Sequence, residues 1–334
     1  MKKLINDPKN VVEEMLEGYI KAHPNYIKVL PENDRALVTT KETREGKVGI
    51  LIGGGSGHEP AFMGYVGAGM ADGVAVGNIF ASPSPDPIVE VTKAIDKGAG
   101  VAYLYGNYAG DVMNFGMAAE MADLEEDIKV EMALTSDDVA SAPKAEKEKR
   151  RGIAGSLFIW KAAGAAADFG YSLEDVIRMA KKANENTRSM GVGLSPCSLP
   201  QTGKPSFELG ENEMEIGLGH HGEPGVEKGP IKTADEVADR LVQDILADIE
   251  ITKGDKVAVL VNGLGSTPRM ELYILFRRVE QILNEKGIEI HRSYVGDYIT
   301  SLEMGGCSVT LMKLDDELMK AVDHPVDCPM FVQK

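Results

Sequence analysis

The stretch VGILIGGGSGHEP, residues 48–60, decides how the rest of the chain is read. A short apolar run that ends in glycine marks a buried strand delivering the chain to a tight turn. Glycines let backbone N–H groups come close to a ligand, and His58 adds a titratable ring at the same place. The passage recurs. GVAYLY at 100–105 leads into GNYAGDVMNF at 106–115, and DKVAVLV at 255–261 leads into NGLGSTP. GVAVG at 73–77 and KVEMAL at 129–134 read as further strands, with helix-period segments at 87–97 and 114–124 between them. Strands alternating with helices predict an α/β fold, in which ligands sit at strand ends.

Known phosphate loops do not fit. A dinucleotide fingerprint needs glycine where His58 stands, as does a nucleophile elbow, and no Gly-Lys-Ser/Thr occurs in the chain. The loop is then either a plain strand-to-helix turn or a site built around His58. Asp111 of GNYAGD is either a helix N-cap or an acid able, with His58, to do acid/base work on a hydroxyl. Ser82 and Ser84 in ASPSPDP shape a turn or line a site.

Residues 152–184 read as helical, broken at DFGYSLED, where Gly170 stops one helix and Ser172 with Asp175 opens another. A Gly/Ser/Pro-rich tract then runs to about residue 230, too apolar for a linker, and fits the strands and loops of a second domain. Thr233 and Glu236 form a capping-box pair opening an amphipathic helix. A long helix is expected over 268–286, and HRSYVGDYITS and GCSVTLMKL close the chain as strands. The expectation is two α/β domains, 1–184 and 185–334, each a mixed sheet flanked by helices.

At 334 residues and a net charge of −16, the chain would repel a phosphate backbone, so nucleic-acid binding is not expected. No apolar run approaches the ~20 residues of a membrane span, and the start, MKKLINDPKN, meets Asp and Pro before a signal core forms. Three cysteines with no CxxC pair suit a reducing compartment, which makes the cytoplasm the expectation, and give no zinc site.

GLGHHGEPG, residues 217–225, sets His220 and His221 among four glycines and a proline. As metal ligands they lack HExxH spacing, and neighbours on an extended segment point to opposite faces. As core histidines they would be expected on an apolar element. The third reading is one reactive imidazole facing a pocket, a competent nucleophile near pH 7 toward a carbonyl.

Taken in order, GGGSGHEPA, SPSPD, NYAGDVMNFG, RRGIAG, SLPQ, GHHGEPG and TSLEMGGCSVTLMKLDDE resemble the substrate-binding K subunit of dihydroxyacetone kinases, over nearly the whole chain. The resemblance implies that the imidazole before Gly-Glu-Pro-Gly, here His221, holds the ketose as a hemiaminal. It implies that Asp111 is the general base and His58 its hydrogen-bonding support. Gly55, Ser56, Gly57 and His58 would line the triose, with Ser82 and Gly106 at positions near it. It further implies no cofactor on this chain. ADP or ATP with magnesium would sit on a partner L subunit, recharged through an M subunit of the phosphotransferase system, and the chain would pair as a homodimer. Addition to a ketone would admit dihydroxyacetone and reject glycerol, which has no carbonyl.

Two positions depart from the family pattern. Gly106 stands where a lysine is common, and Phe62 where a histidine is common. A longer ketose such as erythrulose, or a ligand-sensing coactivator without catalysis, are the readings these departures raise.

Overall fold

In the computed structural model, which describes residues 2–334, the chain opens with helix α1 (Val11–Ala22) and strands β1 (Ile27–Leu30), β2 (Asn33–Thr39), β3 (Gly49–Ser56) and β4 (Gly73–Ile79). Helix α2 (Pro85–Ile95), strand β5 (Val101–Gly106), helix α3 (Ala109–Glu126) and strand β6 (Val130–Thr135) follow. The sheet runs β1-β2-β4-β3-β5-β6, and β3 pairs parallel with both β4 and β5. β1 and β2 join antiparallel, so the sheet is mixed. Near-complete burial of β3 and β5 explains why they read as unbroken apolar runs rather than as alternation. Their core includes Leu51, Ala75, Ile88, Val91, Tyr103 and Phe115.

The rest of the chain comprises α4 (Ser156–Asp168), α5 (Leu173–Glu185), β7 (Thr187–Ser195), β8 (Glu213–Ile216), β9 (Glu227–Pro230), α6 (Ala234–Asp248), β10 (Lys256–Gly263), α7 (Arg269–Glu285), β11 (Glu289–Gly296), β12 (Gly305–Leu314), α8 (Asp316–Asp323) and a hairpin of β13 (Val326–Cys328) with β14 (Phe331–Gln333). The second sheet runs β11-β10-β12-β7-β8-β9 and is also mixed, with only β10 and β11 parallel. α6 and α7 cover it through Leu241, Ile245, Leu275 and Val279. The capping box is present: the Thr233 hydroxyl accepts from the Glu236 N–H, and the Glu236 carboxylate accepts from the Thr233 N–H.

Two α/β units with mixed sheets are thus as expected, but their boundaries differ from a single crossing at 184/185. The first unit takes Met1–Leu134, Ile159–Lys182 and Lys320–Lys334; the second takes Thr135–Phe158 and Ala183–Met319. The tract KAEKEKRR, residues 144–151, is the chain's one compact Lys/Arg block. Its end is tied into the second unit by buried charge: both terminal guanidinium nitrogens of Arg150 donate to Asp248, which Arg188 also reaches at 2.6 Å. The C-terminal hairpin belongs to the first unit, where the Lys161 ammonium donates to the His324 carbonyl at 2.8 Å.

Among the described residues no helix is long and apolar enough to cross a membrane. The three cysteines are buried and free, and burial pushes the Cys307 thiol up to about 12.

Candidate active site

In the first unit the glycines after LI do not leave the sheet at once. β3 continues through Gly53–Ser56 with a bulge, and only Gly57, at φ +98°, turns the chain. Glycine is required by close approach: a Cβ on Gly55 would lie 2.7 Å from the Ala81 nitrogen. The Ser56 hydroxyl donates to the Gly77 carbonyl at 2.8 Å, and the Ser56 carbonyl accepts from the Phe80 N–H at 3.0 Å. These bonds fix the 77–82 turn against the strand end. Phe80 sits at φ +55°, a costly conformation for an aromatic residue, and its ring stacks on His58 at 5.1 Å. His58 is buried, and beyond it both Glu59 carboxylate oxygens accept from the Gly57 N–H at 3.0 and 3.1 Å. Burial pushes the Glu59 carboxyl up.

Asp111 is not an N-cap. Tyr108 holds the cap position in extended conformation, so α3 starts five residues earlier than the 114–124 segment and carries Asp111 in its first turn. An acid there complements the unpaired N–H groups and positive end of the helix. Asp111 is buried, and burial together with its charge raises the Tyr105 hydroxyl to about 12. The same turn rests on the serine loop: the Asn114 amide donates to the Pro83 carbonyl at 2.8 Å, and a Cβ on Gly110 would sit 3.4 Å from that of Ser82. The first unit therefore links His58 through Phe80 and Ser82 to the turn that bears Asp111. Ser82 turns its hydroxyl to the Pro83 carbonyl at 3.2 Å.

Of the two departures, Gly106 ends β5 and its carbonyl accepts from the Tyr108 N–H. The Phe62 ring lies over Gly54, where a Cβ would come within 2.5 Å of it, and 5.4 Å from Trp160.

The histidine pair lies in the second unit, on a segment that is neither helix nor strand. The two imidazoles differ. His220 is buried, its ring held neutral by a pKa pulled down to about 3 by that burial, and its carbonyl accepts from the Ser301 hydroxyl. His221 keeps a quarter of its side chain exposed. Its backbone N–H donates to Glu223 Oε2 at 2.9 Å, and its ring Nδ1 lies 3.1 Å from Oε1. Burial works against the Glu223 charge, but the His221 ring and then Arg151 outweigh it and hold the carboxyl at about 2. A carboxylate only accepts, so in the neutral ring the nitrogen facing it, Nδ1, is the protonated one, and Nε2 then holds the lone pair. Glu223 was missed by residue-level reading; its place two residues after His221 in HGEPG is the signal that could have found it. Among the described residues no group of three or more His, Cys, Asp or Glu is placed to hold a metal ion.

A fold of two mixed-sheet units with a loop that carries adjacent histidines defines a class that comparison with known proteins identifies. Residues 17–330 match the Dak1 domain, and the chain belongs to that family. The dihydroxyacetone-binding subunit DhaK of PTS-dependent dihydroxyacetone kinase 2 from Listeria innocua is 50% identical, over 99% of both chains. An L-erythrulose kinase of Pectobacterium atrosepticum is 44% identical over 98% of this chain, which spans 56% of that longer protein. The solved structure of the dihydroxyacetone kinase operon co-activator Dha-DhaQ superposes with a TM-score of 0.88 at 33% identity, covering 96% of this chain and 98% of that one. The K-subunit resemblance read from the sequence is borne out.

Proposed function

We propose that this chain is the dihydroxyacetone-binding subunit of a phosphotransferase-system-dependent kinase, and that it holds its ketose covalently on His221. The observation that carries this reading is the His221 ring itself, a quarter of its side chain exposed, with Nδ1 engaged by an anionic Glu223. The Nε2 lone pair forms a bond to the ketone carbon, and the carbonyl π pair becomes the oxygen's. That oxygen takes a proton from water, and the hydroxide so formed takes up the imidazolium's Nδ1 proton, handed on through Glu223, so the neutral hemiaminal forms with no net change in protons. Asp111 accepts the proton of the ketose's terminal hydroxyl as that oxygen attacks the phosphoryl group, and His58 supports Asp111. Backbone of Gly55, Ser56 and Gly57, with Ser82, lines the sugar. The phosphoryl donor, ATP with magnesium, belongs to a nucleotide-carrying L subunit that keeps the ADP left after transfer and is recharged by an M subunit, and the chain works as a cytoplasmic homodimer.

Full-length similarity to a curated dihydroxyacetone-binding subunit supports the substrate. A second reading, erythrulose, is favoured by Gly106, which places no side chain at the end of β5, and by the erythrulose kinase similarity. The co-activator is a third case: it would keep His221 chemistry and show no turnover.

The test adds 13C-labelled dihydroxyacetone, and separately erythrulose, to the protein and follows the hemiaminal carbon by NMR and the mass at His221. The adduct is expected in the native protein and absent in His221→Ala. An adduct that persists in His221→Ala excludes His221 as the nucleophile.

A further inference from the structure

The RRGIAG motif gives the second unit two adjacent arginines with different partners. Arg150 serves the buried Asp248. Arg151 faces the histidine loop, and its guanidinium bridges two acids. Its Nε and one terminal nitrogen lie 3.0 and 2.8 Å from Asp138 Oδ2, and the other terminal nitrogen lies 3.7 Å from Glu223 Oε2. Asp138 is almost fully buried, so the arginine is anchored from behind. Asp137 beside it accepts the Ile153 and Gly155 N–H groups at 2.8 Å each, which fixes the turn that follows Arg151.

The loop is shaped around this contact. A Cβ on Gly219 would fall 2.2 Å from Glu223 Oε2 and 2.3 Å from the Arg151 guanidinium, so glycine is needed there for the acid and the arginine to approach. Arg151 also lies 3.4 Å from the Gly217 carbonyl. A planar fork can hold one carboxylate and still present charge to another; a lysine ammonium cannot do both with the same geometry.

We infer that Arg151 is a positioning residue for the His221 nucleophile: anchored on Asp138, it aims the Glu223 carboxylate, and Glu223 thereby fixes the His221 proton on Nδ1. The inference rests on the reading of His221 as the covalent residue for its functional consequence, but not for its tautomer. Partners of a ligating or reactive imidazole that act through its other nitrogen change affinity or activity by roughly 10–100-fold. The charged and titratable groups facing this cluster are Asp137 and Asp138 from 135–141, Arg151, and His220, His221 and Glu223 from the loop.

The experiment measures the ring 15N shifts of His221 in the ligand-free protein across pH, in native protein, Arg151→Lys, Arg151→Met and Glu223→Gln, and then titrates each with 13C-labelled dihydroxyacetone. The native ring is expected as the Nδ1–H form. Arg151→Met and Glu223→Gln should mix the tautomers and weaken adduct formation by about 10-fold or more, with Arg151→Lys between them and native. Should Arg151→Met fail to fold, Arg151→Lys and Glu223→Gln carry the same readout. Unchanged 15N shifts and unchanged pH profile in the folded arginine variants overturn the inference. A native protein with the Nδ1–H tautomer but no hemiaminal signal would instead sink the reading of His221 as nucleophile and leave the role of Arg151 standing.

Discussion

In the first unit, His58 and Asp111 sit at the ends of regular elements, a strand and a helix, and backbone hydrogen bonds and glycine contacts hold the turns around them. In the second unit, His221 stands on a segment with no regular structure, and its nearest supports are the carboxylate of Glu223 and the guanidinium of Arg151. The contrast matters for how each region fails. A strand end tolerates loss of charge but not added bulk. A charge-held loop tolerates modest crowding only where no buried ion loses its partner, since an unpaired buried charge is far more costly than a lost surface contact.

The sharpest way to break the comparison is Asp111→Asn. The substitution is isosteric on a backbone-held turn, so adduct formation and melting temperature should stay native while phosphoryl transfer drops by about 10^3-fold. Turnover close to native, assayed with the partner subunit, would remove Asp111 from the role of base. Next in size is Asp248→Ala, which leaves Arg150 and Arg188 buried without their acid and should cost about 3–5 kcal/mol of stability. Its pH signature is distinct. Burial opposes the Asp248 charge, yet both arginines hold its carboxyl below the ordinary range. The stabilisation is therefore present above the unfolded value of about 3.9 and lost as pH falls through the depressed one. Acid unfolding followed by circular dichroism should show this loss in native protein and not in Asp248→Ala. Smallest is Gly55→Ala, whose methyl would meet the Ala81 nitrogen and should cost about 1–3 kcal/mol in chemical denaturation. A neutral result would mean that the strand end is looser than its contacts indicate.

The strands were legible because parallel, doubly buried strands read as continuous apolar runs, and α6 because its cap is written in Thr233 and Glu236. The start of α3 was not, since Tyr108 caps it without a side-chain bond and Ala109 and Gly110 carry no periodic signal. The extension of β3 through GGGS escaped for a similar reason: glycine has little strand preference, and the burial that keeps it extended is a tertiary effect. His58, Asp111 and His221 were found as chemical groups on loops, helped by their motifs. Arg151 and Asp138 were not, because which acid an arginine meets is set by packing between segments distant in sequence.

The chain passes from one unit to the other after Leu134, Phe158, Lys182 and Met319, so neither unit corresponds to one continuous stretch of gene. The hairpin that finishes the first unit bridges Ala68 through Asp327, and Pro325 leaves room only for hydrogen on Gly69. A nascent polypeptide that has emerged as far as residue 319 therefore still lacks the edge that covers residues 67–69. Cutting the gene at 184 to express halves separately would strand part of each, whereas two fragments mixed together retain every piece needed for complementation.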